Sequence, residues 1–507
     1  RGISMNPDAL AFQPTLRACV SASGSEALAL LRRLIQTPSI TGDEGSAGVA
    51  SSIAGKLHDS LAGLPGAERH ADTVLPGRDN VIALLRGQGP GVVVLDAHTD
   101  TVPAGDPGQW LDGDPFSAAD GAAFYLGDDR IRLEVGSLVI ERPVRRRLGR
   151  LWEARGARSA PVIYGRGSFD NKGPVAVAWL ATTALARALA ASRMRLRGSL
   201  VCAFTVDEED GMAGVRALAG GPGCWLDRHG LLPAAIGPDG MRRGIFGVAL
   251  DGSYGFVPVV GHRGIAQVLV RASGQAAHAA TPHLGTNAVT RMAAALHAIA
   301  SDPAAVDAAL APLFSDRLLE PATVAIGTTI VGGGIRGVST VGGARTVDRG
   351  GVNVVPDWCE ATMDCRHPRP ADGDVSTIRE RVAETLASLM RLRVGLPDGA
   401  LTVEVLSGGA PCAILARPQD GPGDPLVGPV LRHGAAVSGF EPWVETAPGG
   451  TDATVMINQG RIRSIVEFGP AGAFAHEPHE FVERDQIAIG AEILALSIVD
   501  LLGIEPA

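Results

Sequence analysis

One nine-residue segment, Val92–Asp100, limits what this chain can fold into. It reads V-V-V-L-D-A-H-T-D, so four apolar residues run directly into an acid, a histidine and a second acid. A continuous apolar run bounded by glycine and polar residues predicts a strand buried on both faces of an α/β sheet. Ligands bind beyond the carboxyl ends of such strands, which is where His98 and Asp100 lie. This pair suits a metal ligand oriented by an acid; the alternative is a polar strand end with no function.

Size and composition exclude several classes of protein. A chain of 507 residues is too long for one ordinary core, which predicts two domains. The net charge of −9 provides no basic field for nucleic acid. The six cysteines form no C-x-x-C pair, which favours a reducing compartment, and we expect a cytoplasmic protein. Neither a secretion signal nor an apolar run of the roughly 20 residues that span a bilayer is expected, so no membrane association is predicted.

The strand-then-acid pattern recurs along the chain. Helices are expected at Ser25–Gln36 and Ser46–Leu64, before the first strands. Asp170 lies in a glycine-containing loop before an alanine-rich helix that runs to about Ser192, where a lone acid is usually a helix cap. Strand Ser199–Val206 ends in D-E-E-D, and four consecutive acids repel one another unless cations offset their charge.

Two further candidate ligands follow in the second half of the chain. The segment Leu231–Ile236 leads to Asp239 in G-P-D-G, and His476 lies in A-H-E-P-H-E before a final helix. The histidine three residues later, His479, is the alternative ligand in that segment. The complete candidate set has oxygen and nitrogen donors, each at the end of an element: His98, Asp170, Glu209, Asp239 and His476. Five such ligands can serve two cations if one carboxylate is shared.

The middle of the chain predicts an inserted domain. Between residues 256 and 409 the periodicity gives strand, helix, two strands, helix and strand, which is the ferredoxin-like series. We therefore expect an α/β protein with a mixed-sheet catalytic domain, helices on both faces, and an inserted α+β domain. The catalytic domain would comprise residues 1–255 and 410–507.

A long segment, Ser117–Pro161, separates two of the candidate ligands. It contains an expected hairpin that turns at Gly136-Ser137. Seven arginines lie from Arg142 to Arg158, an unusual density in an acidic protein. The basic segment indicates either a solvated helix face or a contact with substrate or a second subunit.

The ordered motifs resemble those of a known metallopeptidase family, which includes acetylornithine deacetylase, succinyl-diaminopimelate desuccinylase, carboxypeptidase G and the aminoacylases. The matching motifs are L-D-A-H-T-D-T-V-P, Y-G-R-G-S-F-D-N-K-G, T-V-D-E-E-D-G, A-A-H-A-A-T-P-H-L-G-T-N-A-V, N-V-V-P-D, G-G-T-D-A, and F-G-P with A-H-E-P-H-E. They occur in family order over most of the chain. The resemblance implies a zinc-exopeptidase-like fold whose inserted domain serves as lid and dimerisation domain.

The resemblance also implies roles for individual residues. His98 and Asp239 would bind one metal, Glu209 and His476 the other, with Asp170 bridging. Asp100 would orient His98, and Glu208 would act as general base and acid. In the lid, His278 would stabilise the oxyanion in the partner subunit of a homodimer. The residues implied in holding the substrate are Asn353, Arg366 and Gly450, with pairing to a lid carboxylate as the alternative for Arg366.

The sequence departs from the family pattern in three places, one of which is a long, glycine-rich lid segment, Gly332–Gly351. The Ser117–Pro161 segment lengthens the gap from His98 to Asp170, and Asp239 stands where many members have glutamate before proline. We expect a hydrolase of an amide-type C–N bond, acting on an N-acyl amino acid or dipeptide-like substrate with a free carboxylate. One or two divalent cations are implied, Zn²⁺ first, with Mn²⁺ and Co²⁺ as alternatives. Two rival functions remain: hydrolysis of a non-peptide C–N bond in an unusual amine or ureide, and a catalytically silent metal-binding interaction protein.

Overall fold

The chain forms two compact units. The computed structural model describes residues 7–316, 318–333, 335–341, 344–349 and 352–507. The first unit comprises the chain up to Val260 together with two later segments, Ala413–Glu445 and Thr451–Ala507. The second comprises Gly261–Cys412 and Thr446–Gly450. The inserted unit thus begins and ends at 261 and 412 rather than at 256 and 409, and a short return segment joins it.

Some of the α-helices among the described residues begin at a side-chain cap. Ser52 accepts a hydrogen bond from the Gly55 N–H, and Asn287 accepts one from Thr290, as N-cap side chains do. The helices are α1 (Pro7–Ile35), α2 (Ile53–Ser60), α3 (Arg146–Arg155), α4 (Gly173–Ser192), α5 (Ala213–Ala219), α6 (Trp225–Arg228), α7 (Ala288–Ala300), α8 (Pro303–Leu310), α9 (Ile378–Val394), α10 (Val427–Ser438), α11 (Ala453–Asn458) and α12 (Gln486–Leu502). Short 3₁₀ or irregular turns occupy Pro107–Gln109, Ser168–Lys172, Pro282–Leu284, Ala311–Leu313 and Pro418–Gly423.

The strands of the described residues alternate with these helices. They are β1 (Ala67–Leu75), β2 (Arg78–Leu85), β3 (Val92–His98), β4 (Asp120–Gly127), β5 (Arg130–Val135), β6 (Leu138–Pro143), β7 (Ser159–Tyr164), β8 (Met194–Leu196), β9 (Ser199–Thr205), β10 (Ile245–Ala249), β11 (Val259–His262), β12 (Gly264–Ser273), β13 (Thr323–Gly332), β14 (Ile335–Val341), β15 (Ala344–Arg349), β16 (Trp358–His367), β17 (Leu401–Gly409), β18 (Cys412–Ala413), β19 (Glu445–Ala447), β20 (Arg463–Ile465), β21 (Gly472–Ala473), β22 (Phe481–Glu483) and β23 (Ile504–Pro506).

The central sheet of the first unit is mixed, with strand order β1-β2-β9-β3-β10-β20. Strands β9, β3, β10 and β20 run parallel to one another. Strand β2 is antiparallel to β9, and β1 is antiparallel to β2. Every residue of β3 and β9 is buried, so both faces of the sheet are covered at its centre. The buried strand predicted from the opening segment and its helical layers are confirmed.

Two groups of helices cover this sheet. Helices α1, α4 and α12 pack on one another, and α4 and α12 also contact β3. Helix α5 packs on β9 and on α11, which contacts β10 and β20. The segment Ser168–Ser192 is long and apolar enough to cross a membrane by length and composition, but 78% of its most apolar window is buried in the fold. It serves as the core helix of the first unit.

The Ser117–Pro161 segment extends a second sheet of the first unit. This antiparallel sheet has the order β21-β22-β7-β4-β5-β6. The predicted hairpin is confirmed, because Val135 pairs with Leu138 across Gly136-Ser137. Its inner residues form a compact apolar cluster with α3, in which Leu133, Leu151 and Trp152 are fully buried. The segment is therefore a folded part of the first unit.

The second unit contains the predicted ferredoxin-like series. Its four-stranded antiparallel sheet has the order β13-β16-β12-β17, and its helices α7 and α9 pack together against it. The alternating burial along β12 and β16 places one face of the sheet in the core. Strands β14 and β15 form a separate hairpin.

A pair of glycines tests the packing of the outer helix layer. A methyl group added at Gly490 of α12 would overlap the ring of Phe256, whereas one added at Gly24 of α1 would meet no atom within 4 Å. We expect Gly490→Ala to destabilise the first unit by about 1–3 kcal/mol through overpacking. Gly24→Ala should instead stabilise it by about 0.5–1 kcal/mol, because alanine has the higher helix propensity. Calorimetric unfolding midpoints that move in the same direction for both variants would contradict this packing.

Candidate metal centre

Three parallel strands end side by side and bring the candidate ligands together. Asp96 on β3 pairs with Ala203 on β9 and with Ala249 on β10, so the carboxyl ends of the three strands coincide. The residues that follow these strands, near His98, Glu208 and Asp251, therefore meet at one edge of the sheet. This is the position at which open α/β sheets bind ligands.

His98 uses its two ring nitrogens for two different purposes. Nδ1 lies 3.2 Å from the backbone oxygen of Asp100 and 3.4 Å from its Oδ1. Nε2 points the other way, 3.2 Å from Asp170 Oδ1 and 4.0 Å from Asp251 Oδ1. The carboxylate of Asp100 thus orients the ring while Nε2 faces two other acids, as a metal-ligating histidine requires.

Asp170 belongs to two donor groups that could each hold a metal ion. The first is His98, Asp170 and Asp251; the second is Asp170, Glu209 and His476. In the second group Nε2 of His476 lies 3.2 Å from Asp170 Oδ2 and 3.1 Å from Glu209 Oε1. The two oxygens of Asp170 therefore face different groups, which is the arrangement of a bridging carboxylate.

Asp239 is in neither donor group, so the structure does not bring this predicted ligand to the cluster. Its carboxylate is 46% exposed and pairs with Arg463 at 2.6 Å. The segment before it forms no strand, because Ile236 and Arg242 only close a turn around it. The acid that takes its place is Asp251, which follows β10.

A signal for Asp251 was present in the sequence. Ile245–Leu250 reads I-F-G-V-A-L, an apolar run that ends in an acid, as does the run that precedes His98. The glycine within it weakens the strand propensity, and the G-P-D-G turn upstream offered a competing acid. Only the pairing of β10 with β3 distinguishes the two candidates.

The four acids of the D-E-E-D segment have different surroundings. Asp207 forms an ion pair with Arg78 at 2.8 Å, and Asp210 is exposed. The carboxylate of Asp100 accepts hydrogen bonds from the backbone N–H groups of Glu208, at 3.1 Å, and Glu209, at 3.2 Å. Glu208 lies beside the cluster but in neither donor group. Asp100 thus fixes both His98 and the turn that carries Glu208 and Glu209.

The cluster concentrates negative charge in a buried place. Burial and the nearby carboxylates raise the pKa of Glu208, of Glu209 and of Asp251 above the ordinary range. Burial would also raise the pKa of Asp170, but hydrogen bonds from His476 and His98 lower it. Hydrogen bonds to Asp170 and Glu209 raise the pKa of His476 to about 10. A buried site of this charge favours cations.

The donor set fits one or two divalent cations. Cation bonds of about 2.0–2.2 Å in tetrahedral geometry separate ligand atoms by about 3.3–3.6 Å. The separations in the cluster, from 3.1 to 4.0 Å, span this range. The imidazole nitrogens and carboxylate oxygens present are ligands that Zn²⁺, Mn²⁺ and Co²⁺ accept.

A buried pair of acids behind the cluster was missed by the sequence analysis. The Thr205 hydroxyl donates to Asp96 at 2.8 Å and lies 3.3 Å from Asp452. Burial raises the pKa of Asp96 to about 6 and that of Asp452 well above its ordinary value. In the sequence Asp452 stands out only as part of the G-G-T-D-A motif, because nothing local indicates that it lies beside Asp96 of β3.

The residues implied in substrate binding lie in the second unit. His278 and Asn353 are on adjacent segments, since the Ala279 N–H donates to the Asn353 carbonyl at 2.8 Å. Arg366 on β16 donates to Asp364, its nearest carboxylate, at 2.7 Å. Its Nη1 also lies 3.4 Å from the carbonyl of Pro448, in the segment that contains Gly450.

The basic segment pairs with acids of its own unit. Arg142 forms an ion pair with Glu477, the residue after His476. The other pairs to acids outside the segment are Arg147 with Glu445 and Glu467, Arg150 with Glu445, and Arg155 with Glu483. These arginines therefore anchor the segment beside the loop of His476. His479 instead lies against Tyr164, with its Nδ1 3.3 Å from the hydroxyl.

Comparison with known proteins identifies the family. A family model described as peptidase family M20/M25/M40 matches residues 147–500. Succinyl-diaminopimelate desuccinylase of Gluconacetobacter diazotrophicus is 27% identical over 96% of this chain and 100% of that protein. Acetylornithine deacetylase of Vibrio vulnificus is 28% identical over 54% of each chain.

The solved structures give the same answer for the fold. The aminopeptidase PepT of Bacillus cereus superimposes with a TM-score of 0.59, at 19% identity, over 94% of this chain and 98% of that one. At this identity the likeness concerns the fold alone, and the family rests on the sequence match. This chain, with its cluster of histidines and acids at one edge of the central sheet, is a metal-dependent hydrolase that belongs to peptidase family M20/M25/M40.

Proposed function

We propose that this hydrolase cleaves the amide bond of an N-acyl amino acid or dipeptide-like substrate that carries a free carboxylate. The observation that carries the proposal is the pair of donor groups joined by Asp170, with Glu208 beside them. The names of the desuccinylase and deacetylase relatives support the substrate class. We further propose that the site holds Zn²⁺, with Mn²⁺ and Co²⁺ as alternatives, and that the protein is cytoplasmic.

Each acid and histidine of the cluster would have a distinct task. His98 and Asp251 would hold one cation, Glu209 and His476 the other, and Asp170 both. Such cations act as Lewis acids and make water a stronger nucleophile at neutral pH. Glu208, which neither donor group needs, would accept the proton of the attacking water and return it to the leaving nitrogen. Asp100 would hold His98 and the Glu208 turn in register.

The second unit would supply the groups that recognise the substrate. The Nδ1 atom of His278 accepts a hydrogen bond from the Ala280 N–H at 3.0 Å, so the neutral ring carries its proton on Nε2. That exposed donor suits an oxyanion in a partner subunit, and we propose a homodimer with His278 acting in trans. Arg366 would hold the substrate carboxylate through Nη1. Asn353 and the backbone at Gly450 would contribute further hydrogen bonds.

Removal of the metal tests the reaction class. Chelator-treated protein should lose activity toward a panel of N-acyl amino acids and dipeptides and regain it with Zn²⁺, Mn²⁺ or Co²⁺, because the donors leave an open position for water. Initial rates on the whole panel should be measured for each metal. Full activity in metal-free protein would reject the proposal. Cleavage confined to ureides or amines would keep the metal chemistry and replace the substrate class.

The proposal that Asp251, and not Asp239, is the metal ligand can be tested by substitution. Asp251→Asn should reduce the bound metal by one cation per chain, because an amide oxygen is a neutral and weaker ligand than a carboxylate. Asp239→Asn is the matched control and should keep the wild-type metal content, although it removes the ion pair with Arg463. Elemental analysis of both purified proteins gives the answer. Metal loss in the control alone would restore Asp239 to the site.

Substitution of Glu208 should affect kcat, whereas substitution of its neighbour Glu209 should affect metal binding. Glu208→Gln keeps the shape and removes the proton acceptor, so kcat should fall by roughly 10²–10⁴ while metal content and KM change little. Glu209→Gln should lose metal affinity instead. Steady-state kinetics beside metal analysis separate the two effects. If Glu208→Gln lost the metal and Glu209→Gln retained it, the two roles would be exchanged.

The proposed action of His278 across subunits can be tested by mixing. Glu208→Gln and His278→Ala proteins should each be nearly inactive alone. A mixture that exchanges subunits should recover activity, because each heterodimer contains one site with both residues intact. The assay needs exchange to be measured independently, for example with labelled subunits. Exchange without recovery would contradict the action of His278 in trans.

A further inference from the structure

The loop that carries Asp170 is held by a single carboxylate, that of Glu480. The backbone N–H groups of Phe169 and Asp170 donate to Glu480 Oε1, at 2.9 and 2.8 Å. The N–H of Gly167 donates to Oε2 at 3.0 Å. Glu480 is completely buried. Three backbone donors within four residues of the loop therefore converge on one side chain that water does not reach.

The charge of this carboxylate is matched inside the same loop. Arg166, only 2% exposed, forms an ion pair with Glu480 Oε2. Its other terminal nitrogen donates to the Glu477 carbonyl at 3.3 Å. Burial raises the pKa of Glu480 to about 7, and Arg166 and the loop N–H groups oppose that rise because they favour the charged carboxylate.

The same contacts join two segments that carry ligands. Glu480 lies four residues after His476, and its own carbonyl accepts from the Gly165 N–H at 2.9 Å. The Asp170 loop is thus bound to the His476 segment through both the backbone and the side chain of Glu480. Asp170 and His476 are also members of one donor group. A displacement of the loop would alter the distance between these two ligands.

We propose that Glu480 is the positioning residue that sets Asp170 between the two donor groups. The inference rests on the proposed two-cation site, and it concerns a residue that touches neither cation. Without the charged acceptor, the loop N–H groups and Arg166 lose their common partner, and the two oxygens of Asp170 no longer face their separate groups. The cation that depends most on the bridge should then bind more weakly.

The chain offers a matched control three residues away. Glu483 is also buried, accepts from Trp152 Nε1 at 2.6 Å, and pairs with Arg155 at 2.6 Å. It lies on the same segment and has the same kind of partners, but these belong to α3 and not to the Asp170 loop. Glu480→Gln and Glu483→Gln therefore make the same substitution at two buried acids that each pair with an arginine, and only the first touches the Asp170 loop.

The test is a Co²⁺ titration of metal-stripped, full-length protein, read by calorimetry and by the visible absorption of bound Co²⁺. In Glu480→Gln the Nε2 hydrogens face the Gly167 N–H and Arg166, donor against donor. We expect Co²⁺ affinity at one site to fall by about 10–100-fold, the usual effect of losing a partner that orients a ligand. Glu483→Gln should keep the wild-type affinity and spectrum. Both should lower the unfolding midpoint of the metal-free protein, because each leaves an arginine unpaired.

A milder variant decides the matter if Glu480→Gln does not fold. Arg166→Lys keeps a positive charge beside Glu480 but cannot reach the carboxylate and the Glu477 carbonyl together. It should show a smaller loss of Co²⁺ affinity in the same direction. Wild-type affinity in Glu480→Gln or, where that protein is unfolded, in Arg166→Lys would overturn the inference. A wild-type protein that binds no Co²⁺ would instead reject the proposed function.

Discussion

Mutual repulsion among buried carboxylates is the constraint on which the rest of the site depends. Asp170, Glu208, Glu209 and Asp251 meet at one edge of the central sheet, with two histidines as the nearby basic groups. Burial and the neighbouring carboxylates raise the pKa of three of these acids. In the metal-free protein, each proton or cation that binds there therefore reduces the repulsion between the carboxylates. The fold holds this arrangement because three parallel strands end at the same level.

The backbone around the site is fixed by carboxylates that belong to neither donor group. Asp100 binds the Glu208–Glu209 turn, Glu480 binds the Asp170 loop, and both are fully buried. The amide of Asn171 adds a bond to the Leu250 carbonyl at 2.9 Å, which connects the Asp170 loop with the end of β10. Hydrogen bonds to charged acceptors are among the stronger ones. The ligands are thereby held close to their working positions before any cation arrives.

The sequence predicted most where the pattern was long and uniform. The buried strands β3 and β9, the core helix α4 and the order of the main strands and helices of the inserted unit follow from apolar periodicity. The helix expected over Ser46–Leu64 is limited to α2, Ile53–Ser60, because the residues before it turn and the Ala47 N–H donates to Asp79 instead. Local polar contacts of this kind compete with helix formation and leave no periodic signal.

The sequence by itself indicated that the candidate ligands lie at the ends of strands and helices. It identified His98, Asp170, Glu209 and His476 as one donor set because each residue type is a metal ligand and each follows or precedes a regular element. Only the tertiary structure decided between Asp239 and Asp251, since strand pairing alone brings β10 beside β3 and leaves Asp239 with Arg463. It also brought Glu480 to the Asp170 loop, where its carboxylate accepts a hydrogen bond from the Asp170 N–H across a separation of 310 residues in sequence. Contacts over such separations depend on how the elements pack, and no local pattern records them.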